Sequence, residues 1–458
     1  MAIGPPTGMR DWLPQDTVLR QTLMETIGSI YRLYGYLPID TPAMEDLTVL
    51  MGKGGGENEK LLFKILKRGE KLGQAQQEGQ DLADYGLRYD LTVPLARFVA
   101  THQGKLPKIF RRYHIAPVWR ADRPQLGRYR EFYQCDIDVV GGTSSEYEVE
   151  IITATERVLK RLGFENYWFR LSDKRLLPLL LKGLGAPEAQ VPPILTLLDK
   201  VDKIPSAQFE TELSDCLEKG STPWEKVCSL TQGPSKNDHQ GLLDNSTNSG
   251  QYGEIVEQIS DRRLRAEIEV IHTDLDRIIA TVRKIHKESR LLFHPTLVRG
   301  MDYYTGPIYE AVVEGFSSSI LGGGRYDGLI GRFLGKSIPA VGCSIGFERI
   351  LSILQNRESS GPAKVERVLL VQQGGNLLEM TRHAEQLRAN GLAVESYLEA
   401  DELGKQLKYA EAAGITWAIK EVRANDLSLL VRHLPTRQDR TVSLTEFKEL
   451  LAPENERT

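Results

Sequence analysis

Hydrophobic and polar residues alternate most regularly between residues 110 and 140, where two runs rich in aromatic and β-branched residues flank a polar loop at residues 123–128. This pattern predicts a β-hairpin with a long loop. Because side chains alternate along a strand, the second run has an apolar face of Tyr133, Cys135, Ile137 and Val139 and a polar face of Arg130, Phe132, Gln134, Asp136 and Asp138. The apolar face can be buried. The polar face suits the floor of a site for a polar ligand with a flat ring, and a solvated charged face is the alternative.

The chain before the hairpin predicts a long helix, a short strand and a second helix. Asp16 or Thr17 can cap the first helix, which should end near Gly35. Its apolar positions are Leu19, Leu23, Ile27, Ile30 and Leu33. Residues 36–39 follow as a short strand closed by Pro42. Residues 68–84 are a polar connection without fixed structure, and residues 87–94 predict a strand that runs into a helix.

After the hairpin, the pattern predicts a helix over 146–162, ended by Gly163, and a strand over 167–171. Helical patterns dominate residues 174–290, which we interpret as an inserted helical module; its histidines, among them His272 and His286, are expected to be surface or capping residues. A strand is expected at 308–313. Residues 340–349 form a strand that leads into a helix, whose buried positions are Phe347, Ile350, Leu351 and Leu354.

These segments predict a division of the chain into domains. Residues 1–173 and 291–356 form one mixed unit on either side of the helical insertion at 174–290. Residues 357–365 contain serine, glycine and proline and predict a linker. Residues 366–458 alternate between strand and helix patterns, which is typical of a small separate α/β domain.

Composition narrows the class of protein. The 458 residues, 41% hydrophobic and 26% charged, predict an ordinary globular protein with more than one core. A net charge of -4 excludes a wholly basic nucleic-acid-binding surface, so that any such contact depends on local basic patches. The sequence contains neither a membrane-spanning apolar run nor a signal pattern, and its four cysteines form no Cys-x-x-Cys pair. We therefore expect a reduced, cytoplasmic protein without a zinc motif.

Several polar residues are candidates for binding. The arginines at 120, 123, 128 and 130 crowd the hairpin loop, and guanidinium groups suit phosphate oxygens. Asp90 and Thr92 share a strand face and can accept bonds from an ammonium group, although a helix cap by Thr92 is an equal alternative. Tyr303 and Tyr304, near Arg299, can bind a small polar ligand or form a core pair. Arg349 lies in an early helical turn, where a phosphate partner explains its placement.

Three glycine-rich segments resemble phosphate-binding loops but lack their spacing. Residues 52–56 miss the Gly-x-x-x-x-Gly-Lys-Ser/Thr pattern and predict a mobile loop. Residues 322–328 do not match Gly-x-Gly-x-x-Gly, because Asp327 occupies the position of the third glycine. Residues 331–337 do not complete a Gly-x-x-x-x-Gly-Lys-Ser/Thr loop, because Ile330 occupies the position of its first glycine. The run Gly322–Gly324 instead predicts backbone packed closely against a ligand or a neighbouring strand.

Together, these segments resemble the class II aminoacyl-tRNA synthetases, and specifically the histidyl-tRNA synthetase family. The hairpin is similar to the second class-defining motif and residues 341–350 to the third. The helix and strand ending at Pro42 are similar to the first, which builds a homodimer interface in the family. The segment Arg299-Gly-Met-Asp-Tyr-Tyr-Thr-Gly306 resembles a signature of the histidine enzymes. The likeness extends from about Gly8 to the C-terminus.

The resemblance implies an α+β fold, in which helices flank an antiparallel sheet of six or more strands, with a helical insertion and a C-terminal α/β anticodon-binding domain. It implies ATP-dependent activation of L-histidine to histidyl-adenylate, followed by transfer to the 3′ end of tRNA(His). ATP and Mg²⁺ would take part, although the magnesium ligands are unknown. A cytoplasmic homodimer without membrane contact is expected.

The resemblance also implies roles for single residues. Arg120, Arg299 and Arg349 would be catalytic. Histidine would contact Asp90, Leu91, Thr92, Arg120, Gln134, Asp138, Arg299, Tyr303 and Tyr304; Asp90, Thr92 and Gln134 would hold its ammonium, and Asp138 and Tyr304 its imidazole nitrogens. ATP would contact Arg120, Asp122, Arg128, Arg130, Phe132 and Arg349. Phe132 would stack on adenine, and Arg349 would reach the γ-phosphate. Gln125 would touch the tRNA acceptor end. Many relatives carry Glu at the positions of Asp90 and Asp138.

Two alternatives remain open on this resemblance. The chain could be a non-catalytic, histidine-binding regulatory paralogue of histidine biosynthesis, a class that generally lacks the C-terminal domain and loses motif residues. It could also be a nucleic-acid-binding accessory protein on the same fold, which would lack the signature at 299–306. Arg120, Arg299 and Arg349 are all in place and residues 366–458 are present, which favours the enzyme.

Overall fold

The computed structural model describes residues 3–51, 60–124, 128–201, 204–231, 246–298, 303–356, 367–372, 374, 377–423 and 428–451. The expected loop at 52–56 and the expected linker at 357–365 lie outside these residues. The chain divides into two compact units, Met1–Ser360 and Gly361–Thr458. Each unit has its own buried apolar clusters and is described by itself.

Eleven strands are described in the first unit. They are β1 (Leu37–Pro38), β2 (Met44–Asp46), β3 (Lys64–Leu66), β4 (Ala83–Leu87), β5 (Phe110–Trp119), β6 (Glu131–Val140), β7 (Tyr167–Asp173), β8 (Leu291–Phe293), β9 (Pro307–Val313), β10 (Phe316–Arg325) and β11 (Ala340–Gly346). Eight of them form one sheet in the order β1-β5-β6-β11-β10-β9-β7-β8, and β2-β4-β3 form a second. The large sheet is antiparallel from β5 to β7 and parallel at its two edge pairs. The expected antiparallel sheet is therefore confirmed, with parallel edge pairs added.

The helices of the first unit cover the large sheet and build the insertion. They are α1 (Pro14–Leu33), α2 (Leu47–Leu50), α3 (Glu70–Glu78), α4 (Thr92–His102), α5 (Glu146–Arg161), α6 (Leu176–Gly183), α7 (Val191–Leu198), α8 (Ser206–Cys216), α9 (Thr222–Thr231), α10 (Ser246–Glu257), α11 (Arg262–Ile285), α12 (Gly331–Leu334) and α13 (Phe347–Gln355). Two short 3-10 helices occupy Gln103–Lys105 and Glu188–Gln190. Helices dominate the described part of 174–290, as expected.

The hairpin prediction is confirmed in detail. β5 and β6 pair antiparallel from Phe110 opposite Val140 to Trp119 opposite Glu131. Cys135, Ile137 and Val139 are fully buried in the core that α1 and α5 share with this face of the sheet. The opposite, polar face of β6 is therefore left for a site.

Several predictions about local structure are wrong. The expected strand over 87–94 is absent, because β4 ends at Leu87 and α4 begins at Thr92, so Asp90 and Thr92 do not share a strand face.

The first helix begins at Pro14, after Leu13, without a side-chain cap from Asp16 or Thr17. Proline suits this position because its missing N–H would have no helical partner there. Leu33 is 70% exposed, so the apolar stripe does not continue to the end of the helix.

Residues 68–84 form ordered structure rather than an unstructured connection. α3 runs from Glu70 to Glu78 and ends at Gly79 in the left-handed conformation (φ 65°), after which β4 begins at Ala83. Its high content of polar residues misled the prediction, because an exposed helix that buries only Ala75 needs few apolar positions.

Of the two histidines expected to be surface or capping residues, His286 is the C-cap residue of α11, as expected, whereas His272 packs against two aromatic rings. Nδ1 of His286 lies 2.6 Å from Oε2 of the fully buried Glu156. The His272 ring stacks on Tyr252 with centroids 5.0 Å apart and meets Phe293 edge-on. Both contacts attach α11 to neighbouring elements, a packing role that isolated histidines in the sequence do not reveal.

The second unit is the small α/β domain that the alternating pattern predicts. Its elements are β12 (Arg367–Leu370), α14 (Leu377–Ala389), β13 (Ala393–Ser396), α15 (Leu403–Ala412), β14 (Trp417–Arg423), β15 (Ser428–His433), β16 (Gln438–Val442) and α16 (Leu444–Leu451). The sheet order is β13-β12-β14-β15-β16, parallel in its first three strands and antiparallel afterwards. Across the described residues of both units, every helix is too short or too polar to span a membrane.

Candidate active site

Two adjoining cavities lie on the polar face of β6. The smaller has a volume of about 130 Å³ and the larger of about 230 Å³. Both are lined by Arg120, Gln134, Gly322 and Ser344. These four residues come from the hairpin and from β10 and β11, which lie next to it in the sheet, so that the sheet itself forms the floor of both cavities.

The smaller cavity is rich in hydrogen-bond acceptors. Asp90 caps α4, because its Oδ1 accepts a bond from the amide of Val93 at 3.0 Å. Oδ2 of Asp90, Oε1 of Gln134 and Oδ1 of Asp136 are buried without a partner among the described residues. Thr92 also lines this cavity. Unpartnered buried acceptors favour a ligand that brings N–H groups, since burial without a bond costs free energy.

A buried arginine lies beneath this cavity. Arg112 is fully buried, and its Nη2 lies 2.7 Å from Oδ2 of Asp138 and 3.9 Å from Oδ2 of Asp136. The hydroxyl of Tyr326 donates a short hydrogen bond to Oδ1 of Asp138. Asp138 is therefore held by a hydrogen bond at Oδ1 and by an ion pair at Oδ2, and Oδ2 has no hydrogen-bond donor among the described residues. Arg112 is directly opposite Asp138 in the hairpin register.

Burial shifts the titration of these carboxyl groups. Desolvation raises the pKa of Asp136 to about 7, against the attraction of Arg112. It also raises the pKa of Asp90 to about 6, although the bond from the Val93 amide opposes the change. The pKa of Asp138 is raised by burial, and Arg112 and the Tyr326 hydroxyl counteract this rise. Strongly perturbed groups that share one cavity are typical of functional sites.

Two tyrosines form another wall of the smaller cavity. The rings of Tyr303 and Tyr304 have centroids 4.9 Å apart, and Tyr303 meets Tyr326 edge-on at 5.9 Å. Burial raises the pKa of Tyr303 far above its ordinary value, so its hydroxyl remains protonated and can donate a hydrogen bond. Close backbone packing forms the remaining wall, because a Cβ on Gly342 would overlap the Asp138 carboxylate.

The larger cavity is lined by cationic groups and one flat ring. Arg120, Arg128 and Arg349 contribute guanidinium groups. The Arg120 guanidinium carbon lies 5.1 Å from the centre of the Phe132 ring, and its Nε donates to the Tyr89 carbonyl at 3.0 Å. Nη1 of Arg349 donates to the Ser319 carbonyl. Fixed guanidinium groups around a cavity suit a polyphosphate, and Phe132 provides a surface for an aromatic base.

The structure brings together most of the candidate residues, but not all. Asp90, Thr92, Gln134, Asp138, Tyr303 and Tyr304 line the smaller cavity, and Arg120, Asp122, Arg128, Phe132 and Arg349 the larger. Arg299 and Gln125 lie outside the described residues. Leu91 lines neither cavity; its side chain is fully buried against Ala116 and Val118. The side chain of Arg130 also lines neither, because it donates to the carbonyls of Asp122 and Thr7 instead.

Sequence reasoning missed Arg112, Asp136 and Tyr326 as members of the site. Asp136 had been placed on the correct face without a role. Arg112 could have been found by counting the hairpin register outward from its loop, which pairs position 112 with 138. No comparable local signal identifies Tyr326, because a long-range contact between β6 and the segment after β10 brings it to Asp138.

Metal binding by the protein alone receives no support from the described part of the chain. No group of three or more histidine, cysteine, aspartate or glutamate residues there could hold a metal ion. Asp122 and Glu348 do line the larger cavity. Glu348 is engaged by Nη1 of Arg20 at 2.9 Å and by the amide of Tyr133 at 3.3 Å, which leaves Asp122 as the more accessible carboxylate there.

The chain is similar to known proteins over almost its whole length. The family model described as histidyl-tRNA synthetase matches residues 8–350, and the model described as anticodon binding domain matches residues 367–453. The histidine–tRNA ligase of Leifsonia xyli subsp. xyli is 40% identical over 418 residues, which cover 90% of this chain and 94% of that relative.

Two solved structures share the fold. The histidyl-tRNA synthetase of Nostoc sp. PCC 7120 superposes with a TM-score of 0.77 at 27% identity, covering 98% of this chain and 99% of that one. A Bacillus halodurans protein described as an ATP phosphoribosyltransferase regulatory subunit/histidyl-tRNA synthetase superposes with a TM-score of 0.67 at 20% identity, covering 89% and 97%. At that identity, the second match supports the fold alone.

Proposed function

The chain belongs to the histidyl-tRNA synthetase family, and we propose that each of its two adjoining cavities binds one substrate of the reaction of a histidine–tRNA ligase. Its activity is that of an aminoacyl-tRNA synthetase, for which ATP is a substrate. We assign histidine to the smaller cavity and ATP to the larger. The observation that supports this division is that Arg120 and Gln134 line both cavities, so two ligands bound there would meet.

In the smaller cavity, Asp90, Thr92 and Gln134 would accept hydrogen bonds from the ammonium group of histidine. The unpartnered oxygens of Asp90 and Gln134 support this role. Asp138 and Tyr304 would bond the two imidazole nitrogens, with Tyr303 beside them. An apolar ring would leave these buried polar groups unpaired, so discrimination by a factor of about 10⁴ against such a ligand is expected from binding alone.

In the larger cavity, Phe132 would stack on adenine, Arg120 would contact the histidine carboxylate and the α-phosphate, and Arg349 would reach the γ-phosphate. Asp122 and Arg128 would complete the ATP site. A carboxylate oxygen of histidine attacks the α-phosphorus, the bond to the β-phosphate oxygen breaks, and diphosphate leaves. This step needs no protein nucleophile; it needs alignment of the two substrates and positive charge where negative charge grows. Arg299, from the signature segment, would supply part of that charge.

Magnesium is proposed as the counterion of the ATP phosphates. Mg²⁺ is usually held by one or two carboxylates together with substrate phosphates and water. Asp122 is the carboxylate of the larger cavity that fits this role, and the lack of a three-ligand cluster in the described residues is compatible with a cation that arrives with ATP. Bound there, the ion would neutralise phosphate charge.

The second step transfers the histidyl group from the adenylate to a ribose hydroxyl at the 3′ end of tRNA(His): an ester bond forms, the bond between the acyl carbon and the phosphate oxygen breaks, and AMP leaves. We propose that residues 1–173 and 291–356 carry the catalytic core, 174–290 the insertion, and 366–458, after a linker at 357–365, the anticodon reader. The match of the anticodon-binding model to 367–453 supports the last assignment. Gln125, in the hairpin loop, is proposed to touch the acceptor end.

A homodimer is proposed through the first helix and its following strand. Leu33 at the end of α1 is 70% exposed, and Leu37 in β1 is 65% exposed. β1 is also an edge strand of the large sheet. A second copy would cover these side chains, and edge strands are generally protected by such contacts. We place the enzyme in the cytoplasm because tRNA and ATP are available there; the cysteines of the described residues are unpaired, which agrees.

The regulatory alternative is less supported. Curated relatives at 32–40% identity are histidine–tRNA ligases, and the second unit matches an anticodon-binding model. A histidine-binding regulator would need neither that unit nor an ATP cavity lined by three arginines. The two functions differ in whether bound histidine reacts.

Exchange of labelled diphosphate into ATP, measured with each of the twenty amino acids, tests the proposed division of the site. Histidine should support exchange at least about 10³-fold faster than any other amino acid, in line with a pocket of paired polar groups. A chain that binds histidine but supports no exchange would be the regulatory paralogue. Exchange that is faster with another amino acid would contradict the assignment of the smaller cavity.

A further inference from the structure

The segment before the first helix is attached to the hairpin loop at several points. The amide of Arg130 donates to the Gly8 carbonyl at 2.8 Å, and Nη1 of Arg130 donates to the Thr7 carbonyl at 3.3 Å. Gly8 adopts a left-handed conformation (φ 85°), and a Cβ there would lie 2.8 Å from Cγ of Pro124. The segment thus contacts the loop on both sides of residues 125–127, at Pro124 and at Arg130.

A stack of alternating cations and aromatic rings continues from this attachment. The Arg10 guanidinium carbon lies 3.8 Å from the centre of the Tyr129 ring and 3.9 Å from that of Trp12. Nη1 of Arg10 also donates to the Tyr129 hydroxyl at 3.0 Å. Arg20 lies 3.9 Å from the Trp12 ring on the next level of the stack. Each such contact is stabilising, most strongly where water is excluded.

The stack ends at the larger cavity. Tyr129 lines that cavity, as does Glu348, which is paired with Arg20 while both side chains are nearly buried. Glu348 also accepts a hydrogen bond from the amide of Tyr133 on β6. It directly precedes Arg349 in the chain. One connected set of contacts therefore joins the N-terminal segment to the hairpin and to the start of α13, the two elements that supply the arginines of the cavity.

Stability alone is a weak reason for this choice of residues. Burial lowers the pKa of Arg10, which reflects the cost of removing its charge from water. Apolar side chains of similar volume often replace buried ion pairs at no loss of stability, so burial of a charged group is by itself weak evidence of a stabilising role. A guanidinium group between two rings does fix the orientation and the separation of both rings. Because Tyr129 is adjacent to Arg128, fixing the Tyr129 ring also helps to position Arg128 in the wall of the cavity.

We propose that Arg10 is a positioning residue for ATP: clamped between Trp12 and Tyr129, it holds Tyr129 and the adjacent Arg128 in the wall of the larger cavity before the nucleotide binds. This inference rests on the proposed assignment of ATP to that cavity. Arg10 touches neither substrate in this scheme. Its loss should therefore weaken ATP binding with little effect on histidine, whose contacts lie on β6, around α4 and at Tyr303 and Tyr304.

Steady-state diphosphate exchange with Arg10→Met, Arg10→Lys and Arg265→Met tests this proposal. Methionine retains much of the packing volume without the charge, and lysine restores a cation between the rings. Arg265 is a matched control, because it is a half-buried arginine that bonds carbonyls of the insertion. We expect Arg10→Met to raise KM for ATP about tenfold, which corresponds to part of the free energy of its two cation–π contacts, and to leave KM for histidine within about twofold. Arg10→Lys should recover much of the loss, and Arg265→Met should behave like the unmodified chain.

Equal rises of both KM values, or an unchanged KM for ATP, would overturn the positioning role. If Arg10→Met does not fold, hydrogen exchange in the unmodified chain decides: ATP alone should slow exchange at residues 8–13 and 128–133 more than histidine alone does, and no difference would refute the proposal. Failure of the proposed function is distinguishable, because the unmodified chain would then show no histidine-dependent exchange at all, and the inference would fall with it.

Discussion

At the scale of single residues, the smaller cavity is defined by ionisable side chains that folding removes from water. Asp90, Asp136 and Asp138 are all nearly inaccessible, and Arg112 faces the last two. Burial raises the pKa of Asp136 to about 7 and of Asp90 to about 6, whereas an aspartate in an unfolded chain titrates near pH 4. The site therefore retains polar groups that reduce stability near neutral pH, which suggests that they are kept for ligand binding.

This raised pKa predicts a pH-dependent stability. Between pH 4 and pH 7 the folded state binds more protons at Asp136 than the unfolded state does, so the free energy of unfolding falls as pH rises through this range. Asp136→Asn removes the titrating group, and its free energy of unfolding should fall less over the same range, by about 1 kcal/mol or more. Urea denaturation at pH 4, 5.5 and 7 measures the difference. The exposed Asp81, changed to Asn, is the control; equal falls in all three proteins would contradict the prediction.

Arg299 is a second prediction at this scale. In the proposed mechanism, Arg299 contacts the α-phosphate, where negative charge grows during the first step. Arg299→Ala should lower histidine-dependent diphosphate exchange by about 10²-fold or more, in the range of losing one transition-state donor. The rate of exchange at saturating ATP and histidine is the measurement. A rate close to that of the unmodified chain would remove Arg299 from the mechanism.

At the scale of elements, the site depends on strands that pack closely at positions occupied by glycine. Gly323 lies in β10 between β9 and β11, and a Cβ there would fall onto the Gly342 carbonyl oxygen. Gly342, in turn, leaves room for the Asp138 carboxylate. The glycine run expected to pack closely against a ligand or a neighbouring strand does contact neighbouring strands, while Gly322 also lines both cavities. Small residues here bring functional side chains of β6 into reach of β10 and β11.

Replacing one of these glycines should therefore be costly. Gly323→Ala forces β10 and β11 apart, because the nearest atoms belong to the backbone and cannot rotate away. We expect a loss of about 1–3 kcal/mol in the free energy of unfolding, together with reduced diphosphate exchange. Thermal melting and exchange rates measure the two effects. Gly328→Ala is the matched control, since its added Cβ would only touch a methyl group of Thr305 at 4.0 Å; equal melting temperatures for the two variants would refute the argument.

At the scale of the whole molecule, the proposed activation of histidine and the proposed recognition of tRNA belong to separate units. Both cavities lie within Met1–Ser360, and the second unit, Gly361–Thr458, has its own apolar clusters. Activation of histidine needs only the groups around those cavities. Recognition of a tRNA over a longer distance needs a second surface, which the match to an anticodon-binding model assigns to the second unit.

Truncation separates these tasks. A chain that lacks residues 366–458 should retain histidine-dependent diphosphate exchange within about threefold, because no cavity residue is removed. It should lose at least about 10²-fold in charging of tRNA(His) at low tRNA concentration, because phosphate and base contacts supply much of the affinity for nucleic acid. Exchange and charging assays on the same preparation give both values. Unchanged charging would show that the second unit does not read tRNA.

Local patterns in the sequence were sufficient for most of the elements and for the polar face of β6. The period of two in residues 131–140 predicted both faces of β6, because burial of one face forces the other toward the cavity. Residues on the same strand face, such as Gln134 and Asp138, were therefore assigned correctly to one surface. Short-range signals also explain the failures: a polar helix such as α3 has no apolar period strong enough to read.

What required the tertiary structure are the contacts between residues that are distant in the chain. Asp138 and Tyr326 lie 188 positions apart, and their hydrogen bond depends on sheet order rather than on any local motif. The same holds for Arg10 and Tyr129, 119 positions apart. The sequence alone, through the family that it resembles, determined most of the candidate side chains for binding histidine and ATP. Only the folded sheet, through the desolvation and pairing it imposes, decided which of them meet and which charges they hold.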